Sequence, residues 1–327
     1  MPDVVAFGEV MVRLAPPHFQ RLEQARTLDV EIGGAELNTA AGLVRLGRSA
    51  AWVSRLPDNP LGKLVANRVR EVGVSDQFVQ FTEDGRCGLY FLEFGAAPRS
   101  SSVLYDRKGS SVALAQRGMF DWEAIFKGAK WFHVSGIAAA VSHGAAEVVD
   151  EAMHAARGAG AKVCMDLNYR SKLWPREHAA RVLELLLPQV DALIASEADA
   201  EHLFGITGPD FTAVARGLVD RFGVKVVAGT RREAPLVWRN KFASVGYADG
   251  ETHESGWYEV EIVDRLGAGD ALAAGLIHGL IDNDLKKGLE YGAAMGALKH
   301  TIPGDLPWFT QEEVAAAVQG EGLRIKR

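Results

Sequence analysis

The sequence predicts an α/β protein built on an open, doubly wound, mostly parallel sheet that carries a small β-sheet lid. Three observations predict it. Short apolar runs alternate with helical patterns through most of the 327 residues, which is the rhythm of βα units. Two stretches, 11–32 and 78–112, break that rhythm. Near the C-terminus a strand runs through a glycine turn into an apolar helix, the order expected of an anion site in such a sheet.

The elements follow in order. Val4-Val5-Ala6-Phe7 reads as the first strand, Leu37 to Leu46 as a helix, Ala50 to Ser54 as a strand and Gly62 to Val72 as a helix. From Trp131-Phe132-His133-Val134 the alternation resumes. Helices are expected near Ala145 to Ala159 and Glu177 to Leu187, and strands at Lys162 to Met165, Ala192 to Ile194, Val224 to Val227 and Trp257 to Val263. Inside the second break, Gly88 to Phe94 and Ser102 to Tyr105 pattern as strands in a hairpin-like context. The expected division is therefore a core of residues 1–10, 33–77 and 113–327, and a small β lid of 11–32 and 78–112.

Composition narrows the function. Lys and Arg number 36 against 42 Asp and Glu, a net charge of −6, and no basic run occurs. Nucleic acid and anionic membrane surfaces both call for a basic footprint, so neither is an expected partner. Two cysteines far apart, Cys87 and Cys164, fit free thiols in a reducing compartment. With no signal-peptide pattern at the start and an apolar stretch of only Ala271 to Ile281, carrying His278, the expected location is the cytoplasm. Glycine is in excess, at 35 residues. This calls for tight turns or close backbone approaches.

The chemistry concentrates in Asp264-Arg265-Leu266-Gly267-Ala268-Gly269-Asp270. Gly267 and Gly269 let backbone approach a ligand, and the first N–H groups of the following helix aim positive partial charge at it. Phosphate is the guest that fits. Asp270 would repel phosphate, so its presence calls for another job, general base toward a hydroxyl, unless it merely caps the helix. No G-x-x-x-x-G-K-[ST], no G-x-G-x-x-G after the first strand, no H-E-x-x-H and no G-x-S-x-G occurs, which removes P-loop, dinucleotide, zinc-peptidase and nucleophile-elbow readings. The nine histidines form no ligand-spaced pair.

Gly267-Ala268-Gly269-Asp270, with Gly33-Gly34-Ala35-Glu36-Leu37-Asn38-Thr39-Ala40 and Leu46-Gly47, resembles the two signature regions of the ribokinase-like (PfkB) carbohydrate kinases, over essentially the whole chain. Asp166 to Trp174, Thr230 to Glu233 and Lys299 to Asp305 match as well. Within that family the sequence is most similar to the kinases of 2-keto-3-deoxygluconate, with Asp264-Arg265 standing where many members have Asp-Thr. The resemblance implies ATP-dependent phosphorylation of a primary hydroxyl, Mg2+ as cofactor, the sugar under the lid and the nucleotide along the C-terminal strands.

Residue by residue, it implies Asp270 as base and the N–H groups of Gly267, Ala268 and Gly269 around the transferred group. Gly33, Gly34, Asn38, Tyr90, Tyr105, Arg107, Asn168 and Arg170 are expected around the substrate. Arg107 and Arg170 would clamp a carboxylate, which guanidinium matches bidentately. Ser196, Thr230 and Arg232 are expected toward ATP. Arg265 has three readings: phosphate, the substrate's acid end, or a pair with Asp264. Where family members carry Asn-x-x-Glu to organise metal, this chain has Ser196-Glu197-Ala198-Asp199, leaving Asp199 as the metal candidate. A homodimer through the lids is expected, since a small sheet with one apolar face needs a cover. The alternatives are a fructokinase or other neutral-sugar kinase, a non-catalytic nucleotide or sugar-acid sensor, and a scaffold whose lid makes only protein contacts. Gluconate and galactonate forms differ in one hydroxyl direction, which residue types do not encode.

Overall fold

A computed structural model describes residues 1–236 and 238–320, the side chains of 234–236 aside. The chain opens with β1 (Val4–Phe7), β2 (Met11–Ala15), β3 (Asp29–Gly33), α1 (Ala35–Arg45), β4 (Ala50–Pro57), α2 (Pro60–Glu71) and β5 (Ser75–Thr82). Next come β6 (Gly88–Glu93), β7 (Ser102–Asp106), α3 (Trp122–Phe126), β8 (Trp131–Ser135), α4 (Gly136–Ala140), α5 (His143–Gly158), β9 (Lys162–Asp166) and α6 (Arg176–Leu186). The last third holds β10 (Ala192–Ile194), α7 (Glu197–Phe204), α8 (Phe211–Phe222), β11 (Val226–Leu236), β12 (Arg239–Ala248), β13 (Glu251–Glu254) and β14 (Tyr258–Glu261). It closes with α9 (Ala268–Ile281), α10 (Leu285–His300) and α11 (Gln311–Val318).

Ten strands form one sheet in the order β13-β12-β11-β10-β9-β8-β1-β4-β5, with β14 beside β12. Pairing is parallel from β11 across to β5, and turns antiparallel at β12. The fully buried runs Val4–Phe7 and Trp131–Ser135 are what a sheet covered on both faces requires. One face buries Phe7, Phe132 and Met165 against α3, α5 and α6; on the other, Trp52 packs in one core with Leu37 of α1, Met295 of α10, and residues of α2 and α9. The doubly wound, mostly parallel sheet with a separate small sheet, expected from the sequence, is the architecture observed.

The second sheet has four strands, β3-β2-β6-β7, with β2 and β6 parallel. Its make-up differs from the expected lid at one place. Residues 78–82 continue β5 and pair with β4 in the large sheet, because Phe78 and Val79 pack on the two main cores and extend the apolar edge there. Strand β11 also runs well beyond the expected 224–227, to Leu236, because β12 pairs with it almost to its end.

The apolar stretch at 271–281 is a helix buried nearly all round, α9, wedged between α1 and α10. Glycine makes that possible. A Cβ on Gly275 would come 2.3 Å from the amide nitrogen of Gly292, and one on Gly279 would come 2.2 Å from that of Gly288, so the two helices touch backbone to backbone. No helix among the described residues is long and apolar enough to cross a membrane.

Candidate active site

A cleft of about 400 Å³ lies outside the carboxyl ends of the parallel strands, between the two sheets. Its floor is the turn at the start of α9. Gly267 takes a left-handed conformation (φ 82°), and a Cβ there would sit 2.1 Å from the carbonyl oxygen of Asp305. Only glycine meets both conditions. A Cβ on Gly269 would meet nothing within 4 Å, so open space lies above the first turn, where helix N–H groups have no intrahelical acceptor. Ala268 is buried beneath and contributes backbone alone.

Asp270 stands in that first turn. It does not cap the helix: the cap position is Gly267 and no side chain caps it. Instead its Oδ2 accepts a hydrogen bond from Asn38 Nδ2 at 2.7 Å. Thr39 ties the same turn to α1 through the Asp270 carbonyl at 3.2 Å. Burial pushes the Asp270 carboxyl up to about 6, with Asp305 adding repulsion while Asn38, Arg170 and Lys299 oppose the rise. That places it close to neutrality, where a general base works best.

Asn38, expected at the substrate, lines the cleft with its Nδ2 engaged by Asp270. Tyr90 and Asn168, expected there too, also line the cleft, each with a protein partner. Tyr90 is buried and its hydroxyl donates to Asp305 Oδ2 at 2.7 Å, so it presents its ring to the cleft. Asn168, left-handed at φ 41°, turns its backbone N–H to Asp166 Oδ1 at 3.1 Å. Gly33 is needed because a Cβ would fall 2.2 Å from Asp305 Oδ2, and Gly34 because one would fall 2.3 Å from the Glu9 carbonyl. Tyr105, exposed on β7, faces the cleft beside Arg170.

The expected pair Arg107 and Arg170 is brought together, but unequally. Both line a neighbouring cavity of about 580 Å³ with Tyr105 and Lys172. Arg170 is exposed there and also reaches the main cleft. Arg107 is not a free guanidinium: it is ion-paired to the buried carboxylate of Glu9 on the loop after β1.

On the nucleotide side, Ser196, Asp199, Thr230 and Arg232 all line the main cleft. Ser196 caps α7, its Oγ accepting from Asp199 N at 3.0 Å and donating to Asp199 Oδ2 at 2.8 Å. Arg232 opens to solvent, yet the surrounding protein and the nearby Arg265 and Arg170 guanidinium groups press its ionisation downward. Several arginines facing one cleft suit an anionic ligand. Among the described residues no three His, Cys, Asp or Glu side chains stand together as a metal cage. The oxygens of Asp199 and Asp166 still suit Mg2+, which takes one or two carboxylates and completes its shell with phosphate and water.

Four groups here had no assigned role in the sequence. Asp166, quoted only within a matching segment, ends β9 in the cleft, and burial with Asp270 nearby lifts its carboxyl to about 7. Glu36 is fully buried and accepts from Ser135 N (3.0 Å) and Oγ (2.5 Å); burial lifts it to about 7. Arg13 bridges Asp264 and Asp305, both at 2.7 Å. Asp305 had appeared only as the end of a matching segment. A buried charge is legible from sequence only when its partner is known, and these partners lie up to 292 positions apart.

Comparison with known proteins follows the same lines. The model of the pfkB family of carbohydrate kinases matches residues 1–306. The chain is 38% identical over 326 residues to a 2-dehydro-3-deoxygalactonokinase of Haloferax volcanii, covering 99% of each. It is 27% identical over 325 residues to a 2-dehydro-3-deoxygluconokinase of Bacillus subtilis, covering 98% of this chain and 96% of that one. Among solved structures, a 2-dehydro-3-deoxygluconokinase of Thermotoga maritima superposes with a TM-score of 0.93 at 40% identity, covering 97% and 98%.

Proposed function

The chain belongs to the pfkB family of carbohydrate kinases, and on that premise we propose that it phosphorylates the terminal primary hydroxyl of 2-keto-3-deoxygluconate, using ATP, to give the 6-phosphate. Its likeness to kinases of 2-dehydro-3-deoxy sugar acids supports a sugar-acid substrate. The observation that carries the reading is the placement of Asp270. A carboxylate in the first turn above an anion-binding glycine turn is unfavourable unless it takes a proton, and Asn38 leaves Oδ1 for that purpose.

Each residue then has a task. Asp270 accepts the hydroxyl proton as the oxygen attacks, and the N–H groups of Gly267, Ala268 and Gly269 face the charge that develops. Arg170, with Arg107 held by Glu9, binds the acid end and fixes the hydroxyl over Asp270. Tyr105 and the ring of Tyr90 bound the carbon chain. Ser196, Thr230 and Arg232 line the nucleotide half, and Asp199 with Asp166 would hold Mg2+. ATP with Mg2+ supplies the phosphoryl group and spreads its charge when bound. The small sheet acts as the lid that excludes water from the phosphoryl group, and the apolar row Val30, Leu14, Phe91 and Leu104 in register across its four strands supports a homodimer.

A coupled assay of ADP release over a panel of sugar acids and neutral sugars tests the proposal. It expects the highest kcat/KM with 2-keto-3-deoxygluconate. A preference for fructose or another neutral sugar would overturn the acid clamp, and no turnover with any sugar would favour a sensor. The Haloferax volcanii relative supports a second reading, the galactonate epimer, which the same panel ranks directly.

A further inference from the structure

Arg13 lies in the part of the chain where the sequence shows no recognisable pattern, yet its guanidinium is held by two buried carboxylates at once. It sits mid-strand on β2, 3% exposed, beside Tyr90 of β6 in the parallel register. Its Nη1 donates to Asp305 Oδ1 and its Nη2 to Asp264 Oδ2, both at 2.7 Å, while Phe94 of the small sheet lies 5.4 Å from the guanidinium carbon. Both carboxylates belong to the large domain and both shape the glycine turn. Asp264 Oδ1 accepts from Leu266 N at 3.1 Å and its Oδ2 from Gly304 N at 3.1 Å, which fixes the approach to Gly267 from one side. On the other side the Asp305 carbonyl lies against Gly267, where even a methyl group could not fit. Tyr90 adds a second link from the small sheet, to the remaining oxygen of Asp305.

We propose that Arg13 is a positioning residue that couples the small sheet to the glycine turn, so that one guanidinium sets both where the lid sits over the sugar and how the turn's N–H groups point. The proposal rests on the kinase reading for its catalytic consequence, while the coupling itself is independent of it. A fork with two separate N–H groups is what the geometry uses, because the two acceptors lie on different segments; an ammonium keeps the charge but is a single point on a flexible stem. Breaking one arm of such a buried group also leaves a carboxylate without its partner, which the turn answers by moving.

The test compares Arg13→Lys, which keeps the charge, with Tyr90→Phe, which removes only the second link and is the milder variant if the first folds poorly. Amide hydrogen exchange on the unliganded protein is the readout that needs no activity. In Arg13→Lys, exchange should rise in β2, in β6 and in residues 264–269 together, with β8 and β9 unchanged; Tyr90→Phe should show the same pattern in smaller degree. In kinetics with 2-keto-3-deoxygluconate, counted per folded active site, Arg13→Lys should lower kcat and raise the sugar KM, for a combined loss of about tenfold or more in kcat/KM, the scale set by small misplacements of reacting groups. A purely structural role would lower the melting temperature and leave kcat per site and sugar KM alone. Unchanged exchange at 264–269 in both variants, or a sugar KM and kcat within about twofold of the parent, overturns the coupling. Failure of the parent to phosphorylate any sugar acid would instead overturn the kinase reading, and leaves the exchange result to decide on Arg13.

Discussion

Replacing Asp270 with Asn removes one proton acceptor and changes almost nothing else. The amide is nearly isosteric, its oxygen can still accept from Asn38 at the present 2.7 Å, and the helix keeps its cap because that cap is Gly267. The fold and nucleotide binding are therefore expected to survive while turnover falls by about 10²–10⁴-fold, the usual worth of a general base. The structure adds a pH signature. With the carboxyl at about 6, roughly one-tenth of Asp270 is ionised at pH 5 and nine-tenths at pH 7. The rate of the parent should thus drop about tenfold between pH 7 and pH 5, and the small residual rate of Asp270→Asn should lack this limb. Steady-state ADP release from pH 5 to 8, with melting temperature and nucleotide affinity measured on the same samples, provides the assay. A folded variant that turns over within a few-fold of the parent would refute the base assignment, as would an acid limb that persists unchanged in the variant.

Arg170→Ala and Arg107→Ala should each lower the ratio of kcat/KM for 2-keto-3-deoxygluconate over that for fructose by roughly ten- to a hundredfold, corresponding to about 1.5–3 kcal/mol for a charge-assisted bond. The larger loss is expected at Arg107, because its removal also strips the buried Glu9 carboxylate of its partner next to an anionic substrate; an unchanged ratio would show that neither arginine reads the acid. Glu36, lifted from 4.5 to about 7 by burial, keeps its proton in the folded state where the unfolded chain releases it. Stability should therefore fall as pH rises from 4.5 to 7, by on the order of 3 kcal/mol, and Glu36→Gln should flatten that slope in urea titrations. On the outer face of the small sheet, Val30, Leu14, Phe91 and Leu104 form one apolar row across all four strands, with Leu104 60% exposed. Sedimentation at micromolar concentration should find a dimer that Leu104→Glu dissociates, and a monomeric parent would contradict the cover.

The sequence by itself determined the elements whose signal is local. Strand–helix alternation, the apolar β1, the mostly apolar β8, and the break at the small sheet all follow from periodicity read within a window of ten or so residues. The glycine turn before Asp270 was legible for the same reason: strand, turn and helix start lie within a dozen positions. The resemblance to sugar kinases rested on such short runs. Its Gly33, Gly34, Arg170 and Thr230 all line one cleft: Gly33 ends β3, Gly34 starts α1, Arg170 follows β9 and Thr230 lies within β11.

What only the tertiary structure decided is what each charged or amide side chain does once there. Asn38 turns to Asp270 across 232 positions, Tyr90 to Asp305 across 215, Arg107 to Glu9 across 98, and Arg13 to two acids beyond position 260. No local pattern encodes these choices. A buried polar group must find a partner or cost several kcal/mol, and which partner is in reach depends on how the two sheets close on each other. The same closure lifts Asp270, Asp166 and Glu36 toward neutral pH, because desolvation by surrounding protein is a property of packing and not of any residue type.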